Sequence, residues 1–230
     1  MPAPLHEWNL APKDAMALQT KLAKRVELND RIEPVHHIAG VDIGFEDGGE
    51  TTRAAVVVLQ WSQEAAPNLS VVEQVIQREP TRMPYIPGLL SFREIPAALG
   101  AFAKLSIQPE LVMVDGQGIA HPRRLGVAAH LGLWLDTPTI GIAKSRLTGT
   151  HAEVGEQRGD WVPLTANSGE VIGAVLRSRA RVKPVFVSSG HRLSLDTSLQ
   201  WVLRCLGATK LPEPTRLADR LASRRDQRRV

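Results

Sequence analysis

The chain has 230 residues, 43% of them hydrophobic, and a net charge of +4, so it can bury a substantial core in one large domain or two small ones. Its single cysteine, Cys205, excludes an internal disulfide framework and suits a reducing compartment. No stretch approaches the roughly 18 consecutive apolar residues of a membrane span, and the first residues lack the apolar segment of a signal peptide, so a soluble cytoplasmic protein is expected.

Residues 14–28 place Leu18, Leu22 and Val26 at i, i+4 and i+8 among Lys21, Lys24 and Arg25, which predicts an amphipathic helix. Residues 36–45, Ala54 to Trp61 and Ser70 to Arg78 follow as strand candidates. The Asp47-Gly48-Gly49 turn joins the first two as a hairpin, so an antiparallel meander is expected. A Pro/Gly-rich loop runs from Pro80 to Gly88, and a helix is predicted from about Pro96 to Lys104. Leu111–Asp115 and Thr139–Ala143 read as short buried strands on either side of a helix at Arg124–Leu135. The stretch 144–168 reads as irregular. Strands at Val171–Leu176 and Val185–Val187 and a helix at Ser194–Leu206 complete the pattern. Strands alternating with helices imply parallel pairing. The whole predicts an α/β domain with a mixed sheet, flanked by helices. Residues 216–230 contain six arginines and two aspartates, a surplus equal to the charge of the whole chain. We read 1–215 as the domain and 216–230 as an Arg-rich tail. Such a cluster suits phosphate contacts; a solvated tail fits the same residues.

Three acidic residues stand where apolar runs stop. Asp42 interrupts Ile38-Ala39-Gly40-Val41-Asp42-Ile43-Gly44, and Asp115 ends Leu111-Val112-Met113-Val114-Asp115. An isolated carboxylate in a buried strand is costly to hold ionised. A hard divalent cation is the simplest compensation. With Glu94 between them, the two aspartates suggest a metal-dependent phosphodiester hydrolase. Glu94 also completes Ser91-x-x-Glu94, a capping-box pattern. Pro96 fits better at the first helical position, which leaves Glu94 just before the helix and free to face a metal.

The order of elements resembles the ribonuclease H-like fold. The local sequence is more specific. Pro84-Tyr85-Ile86-Pro87-Gly88, Ser91-Phe92-Arg93-Glu94, Asp115 to Arg123 (DGQGIAHPR), Gly141-Ile142-Ala143-Lys144-Ser145 and Ser189-Gly190-His191-Arg192 together resemble the endonuclease V family in order and spacing over roughly residues 10–210.

That resemblance implies cleavage of DNA containing deoxyinosine at the second phosphodiester 3′ to the lesion. It implies Mg²⁺ held by Asp42 and Asp115, with Mn²⁺ a possible substitute. Glu94 becomes a third acidic site residue and Lys144 a catalytic cation. His191 becomes either a ligand of a second cation or a partner of the leaving oxygen. Tyr85, with Pro84, Ile86 and Pro87, becomes a rigid wedge that fills the gap left by an extruded base. Leu90 and His121 become walls of a base pocket, with Gly88 and Gly116 giving it close backbone approach. Hypoxanthine presents O6 as acceptor and N1–H as donor, the reverse of adenine. A pocket built to match it leaves adenine with a buried mismatched pair. A monomer is expected. Two rivals stand beside this reading: a ribonuclease acting on inosine-containing RNA, and an inert nucleic-acid binding module.

Overall fold

Side-chain alternation on one strand sets the layering of the molecule. The computed structural model describes residues 4–63 and 68–223. After helix α1 (Pro12–Ala23), strand β1 (His37–Glu46) turns Ala39 and Val41 to one face of the sheet and Ile38, Gly40 and Asp42 to the other. A 3₁₀ turn at Asp47–Gly49, with Gly48 at φ 68°, returns the chain into β2 (Thr51–Trp61), and β3 (Leu69–Pro80) completes the expected antiparallel meander.

Two crossovers follow. Helix α2 (Leu90–Phe102) leads to β4 (Leu111–Asp115), and α3 (Val127–Leu135) leads to β5 (Thr139–Ala143). Both strands lie parallel to β1. Strands β6 (Trp161–Thr165), β7 (Val171–Leu176) and β8 (Val185–His191) then add antiparallel, giving eight strands in the order β3-β2-β1-β4-β5-β8-β7-β6. Helices α4 (Leu195–Arg204) and α5 (Glu213–Ala222) close the described chain.

Helices cover both faces. Ile95, Ala98 and Phe102 of α2 and Leu131 of α3 pack on Val41, Val56, Val112 and Val114. On the other face Leu199 and Val202 of α4 meet Ile38, Met113, Ile140 and Val187. Each fully buried aliphatic side chain there contributes roughly 1.5–3 kcal/mol. Helix α5 lies closer still. A Cβ on Gly40 would sit 1.9 Å from the Pro214 carbonyl oxygen, and one on Gly44 3.0 Å from that of Ala222. Two glycines flanking Asp42 on one strand face thus let a helix backbone rest against the sheet beside it.

The structure corrects several expectations. Helix α2 begins at Leu90, so Pro96 is inside it and Glu94 is a helical residue rather than one preceding the helix. Ser91 does not cap that helix; the N-cap is Leu89, without a side-chain bond. Pro96 is tolerated at the price of one missing N–H to the Phe92 carbonyl, and its ring is buried with its neighbours Ile95 and Ala97. The stretch 144–168 contains β6. Parallel pairing stops at β5, because hairpin connections carry β6, β7 and β8. The expected boundary at 215/216 falls inside α5, whose Ala218 is buried on Val57 and Leu59. Arg224, Arg225, Arg228 and Arg229 lie outside the described residues.

Candidate active site

The β1–β4 ladder pairs Val41 with Val114. One step further, Asp42 and Asp115 end up side by side on the face that α5 covers. Helix α5 brings a third carboxylate, Asp219. Carboxylate oxygens of Asp42, Asp115 and Asp219 lie within 4.8 Å of one another. Lys144, one residue past β5, contacts Asp115 Oδ2 and donates to Asp219 Oδ1 at 2.7 Å. Glu94 is 6% exposed on α2, and its carboxyl group feels the charges of Asp42 and Asp115.

One ammonium does not balance these carboxyl groups. Burial and the charges of Asp115 and Asp219 push Asp42 up to about 7, against the pull of Lys144. Burial raises Asp115, with Lys144 opposing. Burial, Asp42 and Asp115 raise Glu94 well above the carboxylate range. Burial works against a charged Lys144, yet its contacts with Asp115 and Asp219 lift it above the ordinary lysine value. Closely spaced oxygen donors that hold their protons too tightly are what a hard divalent cation relieves. The residues therefore fit a metal, with Asp42, Asp115 and Asp219 as its holders.

A cavity of about 380 Å³ opens from this cluster. Asp115 and Lys144 line it together with Tyr85, Pro87, Gly88, Leu90, Gly116 and His121. The structure thus brings most of the expected base-contact residues together with the acidic site. Tyr85 is 65% exposed at the rim. Pro84 is exposed outside the cavity, and Ile86 packs beneath the loop on the cluster of Met83, Leu89 and Phe92. That anchor holds the loop that presents Tyr85.

Gly88 is the fixed point of the loop. Its φ of +80° is left-handed, which favours glycine. Its carbonyl accepts from Gln19 Nε2 at 3.0 Å, from Arg123 Nη2 at 2.8 Å and from His121 Nε2 at 3.1 Å. Gln19 Oε1 in turn accepts from Arg123 Nε at 2.6 Å. Burial and the neighbouring Arg123 push His121 down to about 4, which keeps it neutral with Nδ1 free to accept the Arg123 N–H. His121 is thus a loop anchor as well as a wall.

His191 lies elsewhere. It pairs with Thr139 at the start of β5, whereas Lys144 follows the end of that strand. Four residue steps separate the two ends, about 13 Å at ~3.3 Å per residue. His191 Nδ1 accepts from the Glu27 N–H at 3.2 Å, and Nε2 is 3.8 Å from Asp136. It is a buried tie between the loop after α1 and the sheet, and its expected place at the metal is corrected. β8 runs antiparallel to β5, which carries its end away from the site.

The family model of endonuclease V matches residues 20–220. A relative named endonuclease V from Azotobacter vinelandii is 57% identical over 97% of this chain and 98% of its own length. The chain belongs to the endonuclease V family. The endonuclease V structure from Streptomyces avermitilis shares 39% identity and a TM-score of 0.87, covering 99% of this chain and 96% of that one. That of Ciona intestinalis, in complex with a 24mer DNA containing an inosine followed by a ribo-adenosine, shares 26% identity and a TM-score of 0.79, covering 94% and 97%. Endonuclease V is a nuclease, and the acidic cluster of this chain could hold a metal ion. Asp219 and Gln19 carry no local motif that marks them as site residues, and Arg123 only closes one. The signal for Asp219 was available: Pro214, Ala218 and Ala222 form a small-residue stripe at i, i+4 and i+8, matching Gly40 and Gly44. Among the described residues no helix is long and apolar enough to cross a membrane.

Proposed function

We propose that this member of the endonuclease V family recognises deoxyinosine in DNA and hydrolyses the second phosphodiester 3′ to it, leaving 3′-hydroxyl and 5′-phosphate ends. The observation that carries the reading is the joining of a three-aspartate cluster to a base-sized cavity through Asp115 and Lys144. The Ciona relative bound to inosine-containing DNA supports the same substrate.

Asp42, Asp115 and Asp219 hold the cation, Mg²⁺ or in its place Mn²⁺, and Glu94 adds a carboxyl group from the opposite face. When bound, the cation supplies Lewis-acid polarisation of a phosphate oxygen and acidification of water. Lys144, freed from its carboxylate partners, stabilises negative charge developing on the phosphoryl group. Gly88, Leu90, Gly116 and His121 enclose the extruded base. Tyr85, held by the Pro84–Pro87 loop, fills the stack behind it. His191 takes no part in the chemistry.

The protein works as a monomer in the cytoplasm, where a lone buried Cys205 is stable as a thiol. Inosine-containing RNA is a second substrate reading, favoured by the ribo-adenosine that follows inosine in the Ciona complex. Strand cleavage of matched DNA and RNA, each with one inosine, tests the function and ranks the two substrates.

A further inference from the structure

A chain of hydrogen bonds runs behind the cavity, and the chemistry of its members fixes the direction of every proton. His6 Nδ1 lies 2.8 Å from the Glu7 carbonyl oxygen, which only accepts, so Nδ1 carries a proton. His6 Nε2 lies 3.3 Å from Trp134 Nε1, and an indole N–H only donates, so Nε2 is the acceptor. His6 is therefore the neutral Nδ1–H tautomer. His130 Nε2 lies 2.8 Å from that same nitrogen, so it donates to the one lone pair there, which the more distant indole N–H shares. His130 is 0% exposed and stands against the rings of His6, Trp8 and Phe92, where a second proton has no compensation; burial and His6 both hold its pKa well below the usual value. Its Nδ1 must then accept, and the Ser91 hydroxyl, 3.0 Å away, donates to it.

Ser91 sits on the first turn of α2 and lines the cavity. A helical serine ordinarily returns its proton to the carbonyl one turn back. Here the proton is committed to His130, and the oxygen keeps only lone pairs to offer. We infer that Ser91 is a specificity-determining residue: the His6–His130 pair locks its hydroxyl as an acceptor toward the cavity, where it takes the N1–H of hypoxanthine. Adenine presents a lone pair at N1 and meets another lone pair. Purine without a 6-substituent does the same. The inference rests on the proposed deoxyinosine substrate and adds how adenine is refused.

The test is binding, in chelator so that no strand is cut, to oligonucleotides carrying one hypoxanthine, one adenine or one unsubstituted purine. Ser91→Ala is expected to weaken hypoxanthine binding about tenfold, the worth of one buried hydrogen bond, and to leave purine binding no weaker. Equal losses for both bases, or no loss for hypoxanthine, would overturn the inference while leaving the substrate assignment intact. A wild-type protein that prefers hypoxanthine no more than adenine would overturn both. Because Ser91→Ala leaves His130 Nδ1 unpartnered and its folding has to be checked, ¹⁵N shifts of the wild-type histidines give a second measurement. The Nε2–H tautomer at His130 and the Nδ1–H tautomer at His6 are expected; an Nδ1–H tautomer at His130 would turn the serine proton toward the cavity and end the argument.

Discussion

Lys144 Nζ lies 2.7 Å from Asp219 Oδ1 and also touches Asp115. A lysine just past the end of a parallel strand and an aspartate from the last described helix thus join the carboxylates of Asp42, within β1, and Asp115, at the end of β4. Asp219 is therefore expected to matter as much as Asp42. Asp219→Ala should lower kcat at least about 100-fold, the scale of losing one charge-stabilising group, and should weaken Mg²⁺ activation. Cleavage within a few fold of wild type would reduce Asp219 to a structural partner of Lys144.

His191 gives the opposite expectation. His191→Ala removes the acceptor of the Glu27 N–H and opens a buried site, at a cost to stability of about 1–3 kcal/mol. With folded protein, single-turnover cleavage should stay within about threefold of wild type. A loss comparable to that of Asp42→Ala, at unchanged metal affinity, would contradict its placement at the far end of β5.

The acidic cluster also predicts how the metal-free protein responds to pH. Asp42 moves from 3.8 to about 7 on folding, and Asp115 and Glu94 move in the same direction. The folded state then binds more protons than the unfolded state between about pH 4 and 7, so stability is highest below that window and falls as pH rises through it. In chelator, the denaturant midpoint should drop from pH 5 to pH 8. Asp42→Asn should flatten that slope. Mg²⁺ should restore stability most at the alkaline end, where it meets ionised carboxylates. A midpoint that rises with pH in chelator, with the same slope in the variant, would show that Asp42 is not strained by its neighbours.

The grip on Gly88 predicts a binding defect rather than a chemical one. Gln19→Ala removes one donor to that carbonyl and the acceptor of Arg123. The loop that presents Tyr85 then loses part of its preorganisation. KM for lesion DNA should rise about tenfold with kcat changed less than threefold. Tyr85→Ala should act in the same direction. A fall in kcat without a change in KM would place Gln19 in the chemistry instead.

How much of this was readable from the chain follows from where each residue finds its partners. Asp42 and Asp115 were legible because each ends an apolar run, and strand register alone sets them side by side. That Tyr85, Pro87, Gly88, Leu90, Gly116 and His121 share one cavity follows from contiguous motifs that fold onto one another. Asp219 was not legible, because the helix that carries it rests through Pro214 and Ala222 on Gly40 and Gly44, some 175 residues earlier; the arginines around it read as a solvated tail. Glu94 lies within α2 rather than before it, because Pro96 is a buried helix-interior residue and not the helix start that its local sequence favours. His191 misled because its motif neighbours sit on β8, whose antiparallel course is not visible in the local sequence. The tie from Gln19 to Gly88 joins residues 69 apart through a backbone carbonyl, a contact with no local sequence signature.

The central claim is a metal-dependent cut placed by a lesion. A labelled duplex with one deoxyinosine, beside an undamaged control, is incubated with Mg²⁺ and with chelator. The account predicts one Mg²⁺-dependent nick at the second phosphodiester 3′ to the deoxyinosine, absent from the control and from Asp42→Ala. An intact deoxyinosine strand in both duplex and single-stranded form, or equal cutting of the control, would contradict it.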